Sequence, residues 1–346
     1  MSSAVVQLSD TARRTFYGFV ARSDTLRPLL LDRRARLTLL AVSGASCSLI
    51  LALRFPLLSL WFGAVILGVP HIVGGVRHAA IHRELSKGTW ASVFAVFAVS
   101  VFQLSTATPL TAWTWGVLVL AMCGAVASEL IFARRGRWLL LPLVALAVVI
   151  SRKPLTTLMV LTHLHAYGSV IFFVLAARAK KQPWLPFSLL VLAITAAAGG
   201  GAMDALMPDA PFVPEAARDS LLSEIYGLSP SSSGVVLKRI VFLYAFGQSL
   251  HYVIWVRLMP ELDRTTPVHK PFAVQLQLLR RDFGRAAMAV VAVCGGAAVL
   301  MLAGGGAARE AYFALGFFHF TLEAAALTRL ALNTVPFASA PARPRG

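Results

Sequence analysis

Charge is what this chain has least of. Charged residues fill 14% of its 346 positions, where a soluble domain carries about a quarter. With 58% hydrophobic residues and a mean hydropathy of +0.73, an ordinary soluble domain is excluded. Acidic residues are scarcer still, 15 against 32 Lys and Arg, for a net charge of +17. The basic residues stand at the ends of apolar runs, as the positive-inside rule places them. No basic groove with interleaved aromatics is visible, so no nucleic-acid partner is expected. The three cysteines, Cys47, Cys123 and Cys294, lie inside apolar runs with no C-x-x-C pair. That excludes a disulfide framework or a thiolate cluster and leaves buried thiols. The N-terminus has no apolar h-region, so a cleaved signal peptide is not expected. No inverted repeat or appended soluble domain can be made out, and the missing repeat argues against a transporter built on internal symmetry.

What is present is a series of apolar runs near the ~20 residues that span a bilayer as helix. They fall at about 37–55, 57–80, 89–108, 111–133, 138–151, 154–178, 184–202, 237–259, 286–304 and 309–332. The expected fold class is all-α: a polytopic transmembrane helical bundle of about ten spans, multi-pass in the cytoplasmic (inner) membrane and surrounded by membrane lipid. The run 138–151 is short, and Arg152 and Lys153 after it fall on the outer side against the charge rule, so a tilted or re-entrant segment is an alternative there. Residues 1–36, with Arg13, Arg14, Arg22, Arg27, Arg33, Arg34 and Arg36, read as a basic cytoplasmic segment. Residues 37–333 are the transmembrane domain. Within it, 203–235 holds Asp204, Asp209, Glu215, Asp219 and Glu224 against one arginine and reads as an acidic extracytoplasmic loop. Residues 334–346, with Arg343 and Arg345, read as a cytoplasmic tail. Both termini are thus expected in the cytoplasm.

Histidines carry the chemistry. The stretch G-V-P-H-I-V-G-G-V-R-H-A-A-I-H holds His71, His78 and His82, which a regular helix keeps within about 40° of one another. His163 and His165 lie in the sixth run, His251 in the eighth and His319 in the tenth; His269 is a loop residue. From His71, His165, His251 and His319 to the next basic residue is 6 to 13 residues, so at ~1.5 Å per residue their depths overlap within about 10 Å. Four helices each bring an imidazole to one level. Ionisable groups in the hydrocarbon region are costly and face a bundle interior or a cavity. Desolvation favours the neutral imidazole, a good ligand for iron, zinc or copper. A single such histidine is as well explained by a helix–helix hydrogen bond; five to seven at one level point to a metal. The simplest set takes His71, one of His163 and His165, His251 and His319. A two-metal site extending through His78 and His82, which can share an ion at i,i+4 spacing, is the alternative.

Polar companions fit that reading. Glu323 lies one turn after His319, Tyr167 one turn after His163, and Gln248 about 60° from His251. All three are candidates to orient imidazoles from outside the ligand set. Arg77, Arg257 and Arg329 are expected to snorkel to headgroups, and Glu129 to pair with Arg134. Phe317, Phe318, Phe320, Tyr252 and Trp255 would suit an apolar substrate.

G-V-P-H at 68–71, with single histidines in later spans, resembles the Brp/Blh family of bacterial membrane β-carotene 15,15'-dioxygenases. The resemblance covers scattered segments of the second, sixth, eighth and tenth runs. It departs after the first motif, where Ile72, Val73, Gly74 and Gly75 stand in place of the family's Gly and a following Asp. It implies an all-helical membrane enzyme with histidine-held non-haem iron. It also implies His71 as a ligand directly, with His251 and His319 by type and depth. The expected function is an iron-dependent membrane oxygenase (dioxygenase, desaturase or hydroxylase type) on a hydrophobic lipid or isoprenoid, carotenoid-like substrate, with an electron-donor protein as a further possible partner. H-A-A-I-H at 78–82 has one desaturase-like spacing, but the matching H-x-x-H-H boxes are missing. A haem-b electron-transfer protein with axial histidines and a metal-free histidine transporter or proton relay are the alternatives.

Overall fold

Asp32 opens the first long helix. Its carboxylate accepts a hydrogen bond from the Arg34 backbone N–H at 2.8 Å, which satisfies one of the donors that every helix start leaves unpaired. The structure, a computed structural model, describes residues 4–80, 85–106, 112–133, 139–152, 154–207, 234–264, 274, 277–278, 280–282 and 306–334. All regular structure among these is helical, so the chain is all-α.

In chain order the helices are α1 (Ala4–Arg22), α2 (Arg27–Leu31), α3 (Arg33–Arg54), α4 (Pro56–Phe62), α5 (Gly68–Gly75), α6 (Lys87–Thr106), α7 (Ala112–Phe132), α8 (Leu140–Arg152), α9 (Pro154–Ala179), α10 (Leu185–Gly199), α11 (Gly234–Val253), α12 (Met259–Asp263) and α13 (Gly306–Thr334). Helices occupy the apolar runs read from the sequence wherever those runs are described. The run 286–304 and residues 208–233 of the acidic loop lie outside the described residues. Two helical segments among the described residues, Arg33–Arg54 and Val160–Ala179, are long and apolar enough to cross a membrane. Lys87–Phe102, Gly116–Phe132, Leu140–Val149 and Leu185–Gly199 are shorter apolar helices. The basic segment 1–36, in which the sequence reading names no helix, contains α1 and α2.

Two long helices hold the centre. α13 packs against α6, α7 and α9, while α11 packs against α3, α4 and α9. Trp255, Phe172, Phe242, Phe246 and Leu250 are fully buried in the core around them. The outer faces are apolar as well: Leu141, Val144, Val148 and Val149 on α8, Val160, Leu164 and Ile171 on α9, and Leu185, Leu189 and Leu192 on α10 are all exposed.

The run 57–80 is not one regular helix. π-helical turns at Gly63–Leu67 and Val76–Ala80 bracket α5, and a third, Ile254–Leu258, joins α11 to α12. Each extra residue in a turn rotates the remainder of the helix by about 100°. This breaks the common face expected for His71 and His78. Glycines let the broken segment come close. A side chain at Gly74 would stand 2.6 Å from the Trp255 carbonyl oxygen, and one at Gly63 would stand 2.5 Å from the Tyr252 ring. At Gly75 a Cβ would run into the His319 imidazole. α5 and the turn after it therefore lie directly against α13 and the 254–258 turn, because these positions carry no side chain.

Candidate metal centre

His165 on α9, His251 on α11, and His319 and Glu323 on α13 meet at the contact of these three helices. Each offers a donor atom, and the four atoms all lie within 4.8 Å of one another. His319 and Glu323 stand at i,i+4, where one helix face presents both. The His319 Nε2 lies 2.7 Å from Glu323 Oε1, the His165 Nδ1 lies 3.1 Å from Oε2, and the His251 Nε2 lies 3.7 Å from Oε1. Neighbouring donors around an ion at ~2.1 Å lie about 3.0 Å apart in an octahedron and about 3.4 Å in a tetrahedron. The observed separations straddle both values.

These contacts are not hydrogen bonds. Among the described residues, neither ring nitrogen of His251 or His319 has a hydrogen-bond partner, nor do His165 Nδ1 and Glu323 Oε1. His251 is 0% exposed and His319 is 1% exposed. Buried polar atoms are almost always hydrogen-bonded, and leaving several unpaired at one point is expensive. Donor atoms that approach one another without N–H···O alignment are arranged as ligands of a common cation are. Three imidazoles and a carboxylate suit iron, zinc or another borderline transition metal.

The rings crowd together. His165 and His251 centroids are 4.4 Å apart, His251 and His319 5.7 Å, and His165 and His319 5.8 Å. His71 borders the group, 4.7 Å from the His319 ring and 5.0 Å from that of His251. Its Nδ1 donates to the Leu67 carbonyl one turn earlier at 3.1 Å, which fixes the tautomer and leaves Nε2 with its lone pair. The four converging donors do not include His71, expected as a primary ligand; the structure sets it beside them. The pair in the sixth run divides as 200° on a helix requires. His165 enters the cluster, and His163 packs on the Tyr244 ring at 5.4 Å.

The other expected residues go elsewhere. His78 joins a separate polar network at the arginine-rich end of the bundle: its Nδ1 is 2.6 Å from Asp263 Oδ2, and Lys180 Nζ donates to Asp263 Oδ1 at 2.5 Å. His82 and His269 lie outside the described residues. Tyr167 donates its hydroxyl to the Leu243 carbonyl at 3.0 Å and so ties α9 to α11. Gln248 is half-buried and makes no hydrogen bond to the cluster among the described residues. Glu323 was expected to orient a ligand from outside, but the structure puts its carboxylate among the donors themselves. Arg77, read as snorkelling, pairs with Asp282 at 2.7 Å. Glu129 accepts from the Ser86 N–H and the Thr89 hydroxyl at 2.7 and 2.6 Å and faces Arg329; Arg134 lies outside the described residues.

The sequence reading passed over Glu261 and Asp263. Glu261 is buried and receives Arg36 at 2.8 Å and Arg264 at 3.0 Å, while Arg33 donates to the backbone carbonyls of Glu261 and Leu262. Burial, with Arg36 and Arg33 nearby, pushes the Arg264 guanidinium below its usual range despite Glu261. M-P-E-L-D after the eighth run was the available signal: two carboxylates within a turn of an arginine at the end of an apolar helix.

The walls of the candidate centre are aromatic. Phe320 lies 4.6 Å from His165 with the ring planes tilted by 50°, Tyr252 lies 4.9 Å from His71, and Trp255 lies 6.3 Å from His319. His165 is the least enclosed of the three converging rings, its side chain 14% exposed. Comparison with family models, curated proteins and solved structures gives no match for this chain, so the donor set stands on its own geometry.

Proposed function

We propose that this chain is a multi-pass inner-membrane oxygenase whose non-haem iron is held by His165, His251, His319 and Glu323, and that it acts on a hydrophobic lipid or isoprenoid, carotenoid-like substrate. The observation that carries the reading is the set of buried donor atoms that face one another without hydrogen bonds. His71 is the nearest further donor. Bound there, iron would supply oxygen activation at whatever coordination positions the side chains leave open.

The chain's own residues supply the rest. Phe320, Tyr252 and Trp255 give apolar walls that exclude water, and the π-turns and Gly75 bring His319 and His71 to the centre. The exposed leucines and valines of α8, α9 and α10 form an apolar exterior of the kind that lipid covers, which supports a membrane setting for the proposed bundle of about ten spans with both termini inside. The same lipid would deliver an apolar substrate. Likeness to the Brp/Blh dioxygenases enters on G-V-P-H at 68–71 and on the histidines of later spans.

Ring spacing favours non-haem iron over haem b. A porphyrin between two imidazoles needs clear space all round its iron, whereas a third imidazole and the Glu323 carboxylate crowd the same point, the four donor atoms all lying within 4.8 Å of one another. Metal analysis with an absorption spectrum of the detergent-purified protein is the test. Stoichiometric iron without a Soret band is expected, as is loss of that iron on substituting alanine for His251 or His319. Metal-free protein, unaffected by those substitutions, would return the chain to the transporter or proton-relay class. Coexpression with a β-carotene pathway tests the substrate class: loss of orange colour with retinal formed is the expected outcome, and unchanged carotenoid refutes that substrate.

A further inference from the structure

α1 has no place in the metal centre, and its surface is unusual. Leu8, Phe16 and Phe19 are 72%, 61% and 68% exposed. With Ala12 they fall within about 80° of one another on the helix, so they form one stripe. The far side faces the protein: Asp10 is buried and Tyr17 half-buried, about 140–160° from the stripe's centre, and Val20, between that side and Phe16, is buried as well. The stripe is therefore not a core face that lost its packing; the helix already has a packed side and carries a second, apolar one outward.

Its surroundings are basic. Arg14, Arg22, Arg27 and Arg34 are exposed, against Asp24 and Asp32 as exposed acids nearby. Behind them Arg33, Arg36 and Arg264 converge on Glu261, which leaves this end of the bundle with more positive charge than its own carboxylates balance. The position is also set. Only ten residues, including α2, separate Arg22 from Arg33, where the membrane-length helix Arg33–Arg54 begins. Leu31, at the end of α2, is 66% exposed and extends the apolar surface toward that point. An outward apolar stripe flanked by arginines, beside the end of a spanning helix, is the pattern of a helix lying in a membrane interface.

We propose that α1 is an interfacial helix that rests on the cytoplasmic leaflet, with Leu8, Phe16 and Phe19 in the acyl region and Arg22 and Arg27 on anionic phospholipid headgroups. This rests on the membrane reading above. It adds a lipid-selective contact that the spans themselves do not require, since a spanning helix needs hydrocarbon and not headgroup charge.

The test uses the full chain with Cys47, Cys123 and Cys294 replaced by alanine, reconstituted in vesicles. Single cysteines at Phe16, Phe19 or, as the control beyond the stripe, Thr11 carry an environment-sensitive fluorophore. Brominated lipid should quench the labels at 16 and 19 several-fold more than the label at 11 in vesicles of mixed phosphatidylglycerol and phosphatidylcholine. The difference should shrink in phosphatidylcholine alone and in high salt. Labels at 16 and 19 that stay open to an aqueous quencher overturn the proposal. So do labels shielded from both quenchers, which would mean a protein covers the stripe. Flotation of the same vesicles separates the two readings. A chain that floats with α1 in water removes only the α1 proposal, and a chain that does not float removes the membrane reading with it. In the natural cysteine background, Phe16→Glu with Phe19→Glu should lower the phosphatidylglycerol that copurifies per chain while leaving bound iron unchanged. Undiminished phosphatidylglycerol there refutes the proposal independently of the labels.

Discussion

Gly75→Ala sets a single methyl against His319, a proposed metal ligand. A carbon at that position would lie 2.8 Å from Nδ1 and 3.2 Å from Nε2 of His319, and nearer still to the carbon between them. Comfortable contact needs about 3.5 Å or more, so the ring must withdraw by roughly 1.5 Å. Ligands have to be held within about 0.5 Å of their working geometry, and His319 shares Glu323 Oε1 at 2.7 Å, so its withdrawal disturbs two donors. The steric cost to folding is about 1–3 kcal/mol. Loss of ligand geometry should lower metal affinity at least tenfold, about 1.4 kcal/mol. Iron per chain by mass spectrometry, together with thermal unfolding in detergent, measures both. Gly44→Ala is the matched control. Its Cβ would meet Val253 Cγ1 at 2.5 Å, a comparable crowding against a side chain that is not a donor. It should cost stability and keep the iron. If the two variants lose iron equally, or if Gly75→Ala keeps it all, the link between that glycine and the ligand set is wrong.

Alanine at His165 should abolish iron binding, whereas alanine at His163 should retain it and only loosen the packing on Tyr244; the reverse pattern in metal content would exchange their roles. Glu261→Ala should cost about 3–5 kcal/mol, the range for breaking a buried ion pair, because Arg36 and Arg264 lose their shared carboxylate; an unchanged melting temperature would contradict it. Asp204, just after α10, is held below its ordinary value, first by the hydrogen bond from Arg239 and then by the charges of Arg239 and Lys238. Because its folded-state pKa is depressed, the stabilisation it gives is complete above the ordinary carboxylate value and is lost as pH falls below about 3.9. Asp204→Asn should flatten stability over that acid window, and an unaltered acid limb in a pH series of melting curves would refute the assignment.

The sequence made the all-helical architecture legible because apolar runs near membrane length leave little alternative to helix. It also singled out the helices of the site: the levels of His165, His251 and His319 follow from counting toward basic residues, a one-dimensional measure that helix geometry preserves. It could not show which side of a helix turns inward once the helix is broken. The π-turns at 63–67 and 76–80 have no strong sequence signature, and they decide that His71 meets His319 while His78 turns to Asp263. Glu323 was undervalued for a related reason. At i,i+4 from His319 it is legible as a neighbour, but whether it orients the imidazole or joins it depends on how α9 and α11 approach. The network of Glu261 and Asp263 depends on Arg33, Arg36 and Lys180 from distant helices, a tertiary meeting that no local pattern announces.

The placement of the donors along the chain has a consequence for how the protein is made. His165 and His319 are 154 residues apart, and two of the four donors reside on α13, the last described helix. During synthesis the earlier helices can pack, but they present only His165 and His251, too few for tight capture. If the proposed metal binds, its binding would become strong when α13 docks and brings His319 and Glu323 together. An ion that binds the finished bundle and not its precursors stabilises it by mass action. Metal capture would thus act as a late clasp on assembly, and starvation for the metal would show first as proteolytic loss of newly made chains.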